Sequence, residues 1–243
     1  MKRTFLLLSA ILFNSFLVCC GSGKDQKLKI VEEYKLKVPE PSGLALSVDG
    51  KSLWTVSDQT SMVYLISLKG KIEKSFAVDA EDLEGVAVIS DTSIVVVAER
   101  TREVIFLNNE GKEYFRKKLL YDDYDNNGLE GITINKNNGH IFVVKEKKPK
   151  VLIELDNKLK EVNRTKIHFA NDLSGLDFIN ETNDLWIISD ESRLAAKCSQ
   201  DGKVKEKYNV TIEQIEGIAV DPASNIIYLV SDKNEKLYIL KID

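Results

Sequence analysis

Glu130-Gly131-Ile132-Thr133-Ile134 is one of five copies of a short pattern. The others are Ser42-Gly43-Leu44-Ala45-Leu46, Glu84-Gly85-Val86-Ala87-Val88, Ser174-Gly175-Leu176-Asp177-Phe178 and Glu216-Gly217-Ile218-Ala219-Val220. Successive glycines stand 42, 46, 44 and 42 residues apart. After each copy comes a turn and then an apolar run: Leu53–Val56, Ile94–Val97, Ile141–Val144, Leu185–Ile188 and Ile227–Val230. Each run leads to an acid, Asp58, Glu99, Glu146, Asp190 and Asp232, placed 15, 14, 15, 15 and 15 residues beyond its glycine. A unit recurring at this length with no sustained helical periodicity reads as a set of short strands, which is the signature of a propeller blade.

A third strand follows in most copies, for example Met62–Ile66, Val104–Leu107, Val151–Leu155 and Leu237–Leu240, and then a more polar fourth such as Lys71–Val78. The fold expected is all-β, a five-bladed β-propeller over residues 28–243. The last copy has only three strands, while Lys29–Val38 is a spare strand ahead of the first. The N-terminal strand is therefore expected to join the last blade and close the ring, covering edges otherwise open to aggregation. Small residues at the middle of the first strand (Ala45, Ala87, Thr133, Ala219) suit a crowded axis. Asp177 breaks that pattern, and a carboxylate there must be paired, solvated or metal-bound. The repeat glycines let backbones approach closely or turn sharply.

The 243 residues, 43% hydrophobic and 30% charged, exclude collagen-like and wholly disordered classes. A net charge of −4 gives no electrostatic basis for binding nucleic acid. Three cysteines and two histidines are too few for a disulfide framework or a zinc cluster. Residues 1–19 read as a secretory leader, with Lys2 and Arg3 ahead of the mostly apolar run Thr4–Val18, which is too short to span a bilayer. Its end, Leu17-Val18-Cys19-Cys20-Gly21-Ser22, resembles the lipobox of bacterial lipoproteins, with Cys20 as the lipidated residue. Cys19 is the departure, since Gly, Ala or Ser usually precedes the modified cysteine. Residues 20–27 then form a lipidated tether, and loss of the leader takes the net charge from −4 to −6. The expected location is the cell envelope, anchored to a membrane through the lipid. With Gly21 rather than Asp next to Cys20, that membrane is expected to be the outer one.

In an antiparallel blade the start of the first strand and the end of the second lie on one face. Glu84, Glu130 and Glu216 are therefore expected to converge with Asp58, Glu99, Glu146, Asp190 and Asp232, and nearby loops add Glu40, Asp82 and Asp172. Such an oxygen-rich mouth suits calcium, a hard cation. Asp123-Tyr124-Asp125-Asn126-Asn127-Gly128 resembles the first half of a calcium loop, with Asp123, Asp125 and Asn127 as alternating oxygen ligands. The second half is missing, because the twelfth position is Ile134. Glu130, or another blade's Glu84 or Glu216, would complete the site. The alternative account of these residues is structural: Asp and Asn form turns, and an acid recurring once per blade caps backbone N–H groups.

No HExxH, GxSxG, Walker or GxGxxG pattern is present, and no residue is assigned a catalytic role. Cys198 reads as a small buried group. The basic run Lys145-Glu146-Lys147-Lys148-Pro149-Lys150 reads as a solvated loop, or as a holder for an anionic small molecule beside a calcium-loaded mouth.

The five Glu/Ser-Gly copies, the string Asn127-Gly128-Leu129-Glu130-Gly131-Ile132 and the lipobox together resemble the SdiA-regulated family of envelope β-propellers. Single units such as Gly217–Asp221 followed by Ile227–Asp232 also resemble NHL repeats. The first resemblance implies a propeller linked to calcium response, with no defined reaction and wider kinship to calcium-dependent phytases and esterases. Two functions are expected on this basis. One is a calcium-responsive binding or scaffolding protein with an envelope protein or an anionic small molecule as partner. The other is a calcium-dependent phosphoric-ester hydrolase.

Overall fold

The computed structural model describes residues 26–119 and 128–242. The leader, Cys20 and the loop ligands Asp123, Asp125 and Asn127 lie outside the described residues. Every regular element among the described residues is a β-strand. The chain opens with β1 (Gln26–Lys35), and β2 (Pro41–Leu46), β3 (Ser52–Ser57), β4 (Met62–Ser67) and β5 (Ile72–Ala77) make one antiparallel sheet. A second holds β6 (Leu83–Ser90), β7 (Ser93–Ala98), β8 (Glu103–Asn108) and β9 (Glu113–Lys118). A third holds β10 (Leu129–Asn135), β11 (His140–Lys145), β12 (Val151–Leu155) and β13 (Glu161–Lys166).

The remaining strands are β14 (Gly175–Ile179), β15 (Asp184–Ser189), β16 (Leu194–Cys198), β17 (Val204–Asn209), β18 (Ile215–Asp221), β19 (Ile226–Ser231) and β20 (Lys236–Ile242). With β1 they form one eight-stranded sheet, ordered β14-β15-β16-β17-β1-β20-β19-β18. The spare N-terminal strand pairs antiparallel with β20, from Leu28 opposite Ile242 to Lys35 opposite Lys236. Sequence did not suggest its second neighbour. Gln26 and Lys27 pair in parallel with Tyr208 and Asn209 of β17, so the strand begins inside the segment expected to be tether.

The first strand of each repeat touches the next in the order β2, β6, β10, β14 and β18, and β18 touches β2. The ring is closed. Each second strand lies between neighbours on both faces, which is why its apolar run is continuous rather than alternating. Val95, Val96 and Val97 are all fully buried, as are Ile187 and Ile188. Each such side chain contributes about 1.5–3 kcal/mol when removed from water. The fourth strands are peripheral and mostly exposed, in keeping with their polar sequences.

Close approach explains the repeat glycines, and Gly43 alone of the five also turns the chain, at φ 56. A Cβ on Gly85 would come within 2.9 Å of the Gly131 Cα, and one on Gly43 within 2.7 Å of the Gly85 Cα. A Cβ on Gly217 would lie 2.6 Å from the Gly43 carbonyl carbon. The five glycines line a neck of about 10 Å³ on the axis, room for about one water. Asp177 lies below this neck and ties three repeats together. Its carboxylate accepts the Val220 N–H at 2.8 Å, the Phe178 N–H at 2.9 Å and the Thr133 hydroxyl at 3.4 Å. Backbone pairing thus satisfies the carboxylate that the repeat pattern left unexplained.

Candidate metal centre

Above the neck opens a mouth of about 280 Å³. The eight acids expected to converge there all line it: Glu84, Glu130 and Glu216 from the first strands, and Asp58, Glu99, Glu146, Asp190 and Asp232 after the second. Glu40, Asp172, Glu191 and Lys147 complete the wall, with Ser42 and Ser174 at the places where two repeats lack the glutamate. The opposite mouth, about 200 Å³, mixes apolar side chains with Asp177, Lys136, Asn180 and Glu181.

The three glutamates owe their direction to a feature that sequence reasoning missed. In β6, β10 and β18 the register slips between Leu83 and Gly85, Leu129 and Gly131, and Ile215 and Gly217. Glu84, Glu130 and Glu216 are therefore the extra residues of β-bulges, which re-aim a side chain out of the pleat. Where serine replaces glutamate the bulge differs. The slip in β2 skips Gly43, and β14 starts at Gly175 with no slip. Both serines act as ties to the next repeat. Ser42 donates to the Glu84 carboxylate at 2.7 Å, and Ser174 donates to the Ile215 carbonyl at 2.7 Å.

Crowding these carboxyls in a half-closed space favours their protonated forms. Burial, reinforced by the charges of Asp58, Glu99 and Asp82, pushes Glu84 up to about 8, although its bond from Ser42 works the other way. Burial and the charges of Glu84, Asp190, Asp232 and Asp172 raise Glu216 to about 9. Asp58 rises to about 7 through burial and its contact with Asp82. Glu130 is raised well above the ordinary carboxyl value by burial and its four glutamate neighbours, and Glu99 and Asp232 are raised as well.

Within the mouth's edge, Asp58, Asp82 and Glu84 each offer an oxygen within 4.8 Å of the other two. Three oxygens so placed are the start of a hard-cation site. Asp82 was expected only as a loop acid on this face. It stands at φ 58 just before the bulge, which brings it to Asp58 and Glu84, and it is also ion-paired with Arg100. Gly128, the sixth residue of the calcium-loop motif, has a packing role. Its N–H donates to the Glu99 carboxylate at 2.8 Å, and a Cβ there would lie 2.5 Å from the Glu99 carbonyl oxygen.

The basic run is largely committed to the protein itself. Lys145 is buried, and its ammonium donates to the carbonyls of Lys147 and Lys148, at 2.5 and 3.1 Å. Lys147 bridges Glu146 and Glu191 at 2.5 and 2.8 Å. Cys198 is a buried free thiol, raised to about 12 by burial.

Radial sheets closed into a ring, with loop acids gathered over a narrow axis, define a β-propeller protein with an acidic mouth. Residues 26–240 match the SdiA-regulated family, and the chain belongs to it. Solved structures agree on the fold. Glutaminyl cyclase from Myxococcus xanthus superposes with a TM-score of 0.72 at 12% identity, covering 90% of this chain and 99% of that one. A streptogramin B lyase superposes with a TM-score of 0.54 at 18% identity, covering 87% and 72%. Virginiamycin B lyase from Staphylococcus aureus gives 0.52 at 16% identity, covering 89% and 75%.

Proposed function

We propose that the protein is a five-bladed, lipid-anchored propeller of the cell envelope that binds calcium reversibly at its acidic mouth and acts as a binding or scaffolding protein. The anchor in this reading is Cys20, and the membrane is the outer one. The observation that carries it is the Asp58, Asp82 and Glu84 cluster, set within a ring of buried glutamates whose charges repel one another. A divalent cation can replace the protons that otherwise relieve this repulsion. Glu99, Glu130 and Glu216 line the same mouth and are the candidates for further oxygens. Calcium takes 6–8 oxygen ligands in flexible geometry, which suits donors drawn from several sheets. Once loaded, the mouth no longer repels an anionic small molecule or an acidic segment of an envelope protein. Ion binding thereby controls partner binding.

The hydrolase reading needs a cationic group to hold a phosphoryl ester next to the metal. Lys145 and Lys147 are the nearest basic side chains of the run, and both are engaged within the protein. Binding is therefore the reading we favour.

Calorimetric titration of the full chain with calcium at pH 8 tests the proposal, with magnesium for comparison. Saturable heat with calcium is expected, weakened about tenfold or more by Asp58→Asn or Glu84→Gln, since each removes a charged ligand. Absence of both heat and a thermal shift at saturating calcium would overturn it.

A further inference from the structure

The eight-stranded sheet folds over one core shared by its two halves, with β17 and β1 side by side at the bend on the rim. Tyr208 of β17 and Leu28 of β1 pack on that core. Strand alternation therefore turns Lys207, Lys27 and Lys29 to the outer side of the bend. Lys241 of β20 stands directly across from Lys29 and shares its face. All four lysines are exposed. The Lys207 ammonium lies over the Phe169 ring, 5.6 Å from its centre, and none of the four forms an ion pair among the described residues. Like charges directly opposite one another in a sheet repel, so the Lys29–Lys241 pair gains nothing from being there in the isolated protein.

This ridge is also where the chain joins the ring, because Gln26 pairs with Tyr208. Only residues 21–25 separate Gln26 from Cys20, and a segment of that length reaches at most about 20 Å. A lipid on Cys20 holds this part of the rim close to the bilayer. We infer that the ridge of Lys207, Lys27, Lys29 and Lys241 is a docking surface for anionic phospholipid headgroups, seating the ring on its edge. The inference rests on the lipid anchor proposed above. Lysines near an anionic leaflet are attracted within about a Debye length, whereas the carboxylates of the mouth are repelled. An edge-on seat satisfies both, and the mouth opens along the membrane surface to soluble ligands.

The test places a fluorophore at either end of the rim. Asn209→Cys labels the ridge. Tyr114→Cys on β9 labels the far rim, in the sheet two places round the ring from either half of the bend, and Tyr114 is well exposed. Lipid blocks Cys20, and Cys198 is buried. The mature lipidated chain is inserted in phosphatidylcholine vesicles with or without phosphatidylglycerol, carrying a headgroup quencher. In the anionic vesicles the label at residue 209 should be quenched several-fold more than that at 114, and Lys27→Glu with Lys29→Glu should shrink the difference. Equal quenching at the two positions, or a difference that survives unchanged without phosphatidylglycerol, would overturn the ridge. Mass spectrometry of Cys20 reports on the anchor separately. If no diacylglyceryl group is found, the same chain coupled through Cys20 to a maleimide lipid still decides for or against the ridge.

Discussion

The Ser42 hydroxyl is held between two oxygens of Glu84 in the neighbouring sheet, 2.7 Å from a carboxylate oxygen and 3.0 Å from the backbone carbonyl. With one proton to donate, it links the first two sheets at the point where the mouth narrows. A glutamate at position 42 would add another carboxyl to a space already crowded by Glu84 and Asp58. The serine is thus a steric and electrostatic complement to its neighbour.

Raised carboxyl pKa values make stability fall as pH rises. In the unfolded chain Asp58, Glu84 and Glu216 lose their protons near the ordinary carboxyl values of about 4. In the folded protein they keep them to about 7, 8 and 9. Between these limits the folded state binds more protons, so stability declines with increasing pH. Without calcium, the melting temperature is expected to drop steadily from pH 5 to pH 9. Calcium should flatten that slope, and Glu84→Gln should recover about 1 kcal/mol of the loss at pH 9. Thermal denaturation across pH, with and without calcium, checks both expectations; a slope of opposite sign would remove the electrostatic account of the mouth.

Calcium uptake should release protons. The cation displaces them from carboxyls that are still partly protonated at pH 7, so apparent affinity is expected to rise between pH 6 and pH 9. Calorimetry in two buffers of different ionisation enthalpy reads the protons released, with close to one per ion expected at pH 7.

Gly85→Ala puts a methyl group against backbone and against the fully buried Val97. The added carbon would meet Gly131 Cα and Val97 Cγ2 at 2.9 Å and Ile132 N at 3.0 Å. Overpacking of this kind costs about 1–3 kcal/mol. Urea denaturation should show the loss, and an unaltered midpoint would mean that the neck is looser than described.

Asp177→Ala strands the Val220 N–H, now capped at 2.8 Å, and leaves the Phe178 N–H only its 3.0 Å bond to the Thr133 hydroxyl. Leaving a buried donor unpaired costs about 1–3 kcal/mol, reduced wherever water reaches the lower mouth. Asp177→Asn keeps an acceptor and should lose much less. Comparing the two variants by chemical denaturation separates the hydrogen bonds from the charge.

Most of the fold was legible because the repeat puts the same physical demands on each unit. The glycines, the apolar second strands and the following acids recur at fixed spacing, and the convergence of Asp58 with Glu84 followed from strand direction alone. The bulges were not legible, since Glu84 and Ser42 occupy the same place in the pattern and differ only in how the register slips beside them. Asp82 was hidden for a related reason: its approach to Asp58 depends on a left-handed backbone at a residue other than glycine. The calcium-loop likeness at residues 123–128 drew attention to Gly128, whose packing against Glu99 depends on a neighbouring sheet that the local motif does not reveal.

The pairing of β1 with β20 sets a timetable. The segment that completes the last sheet is translated well before its antiparallel partner, with Lys35 opposite Lys236. Ring closure must therefore await β20, so every strand from β2 to β19 is made before the last sheet can be completed.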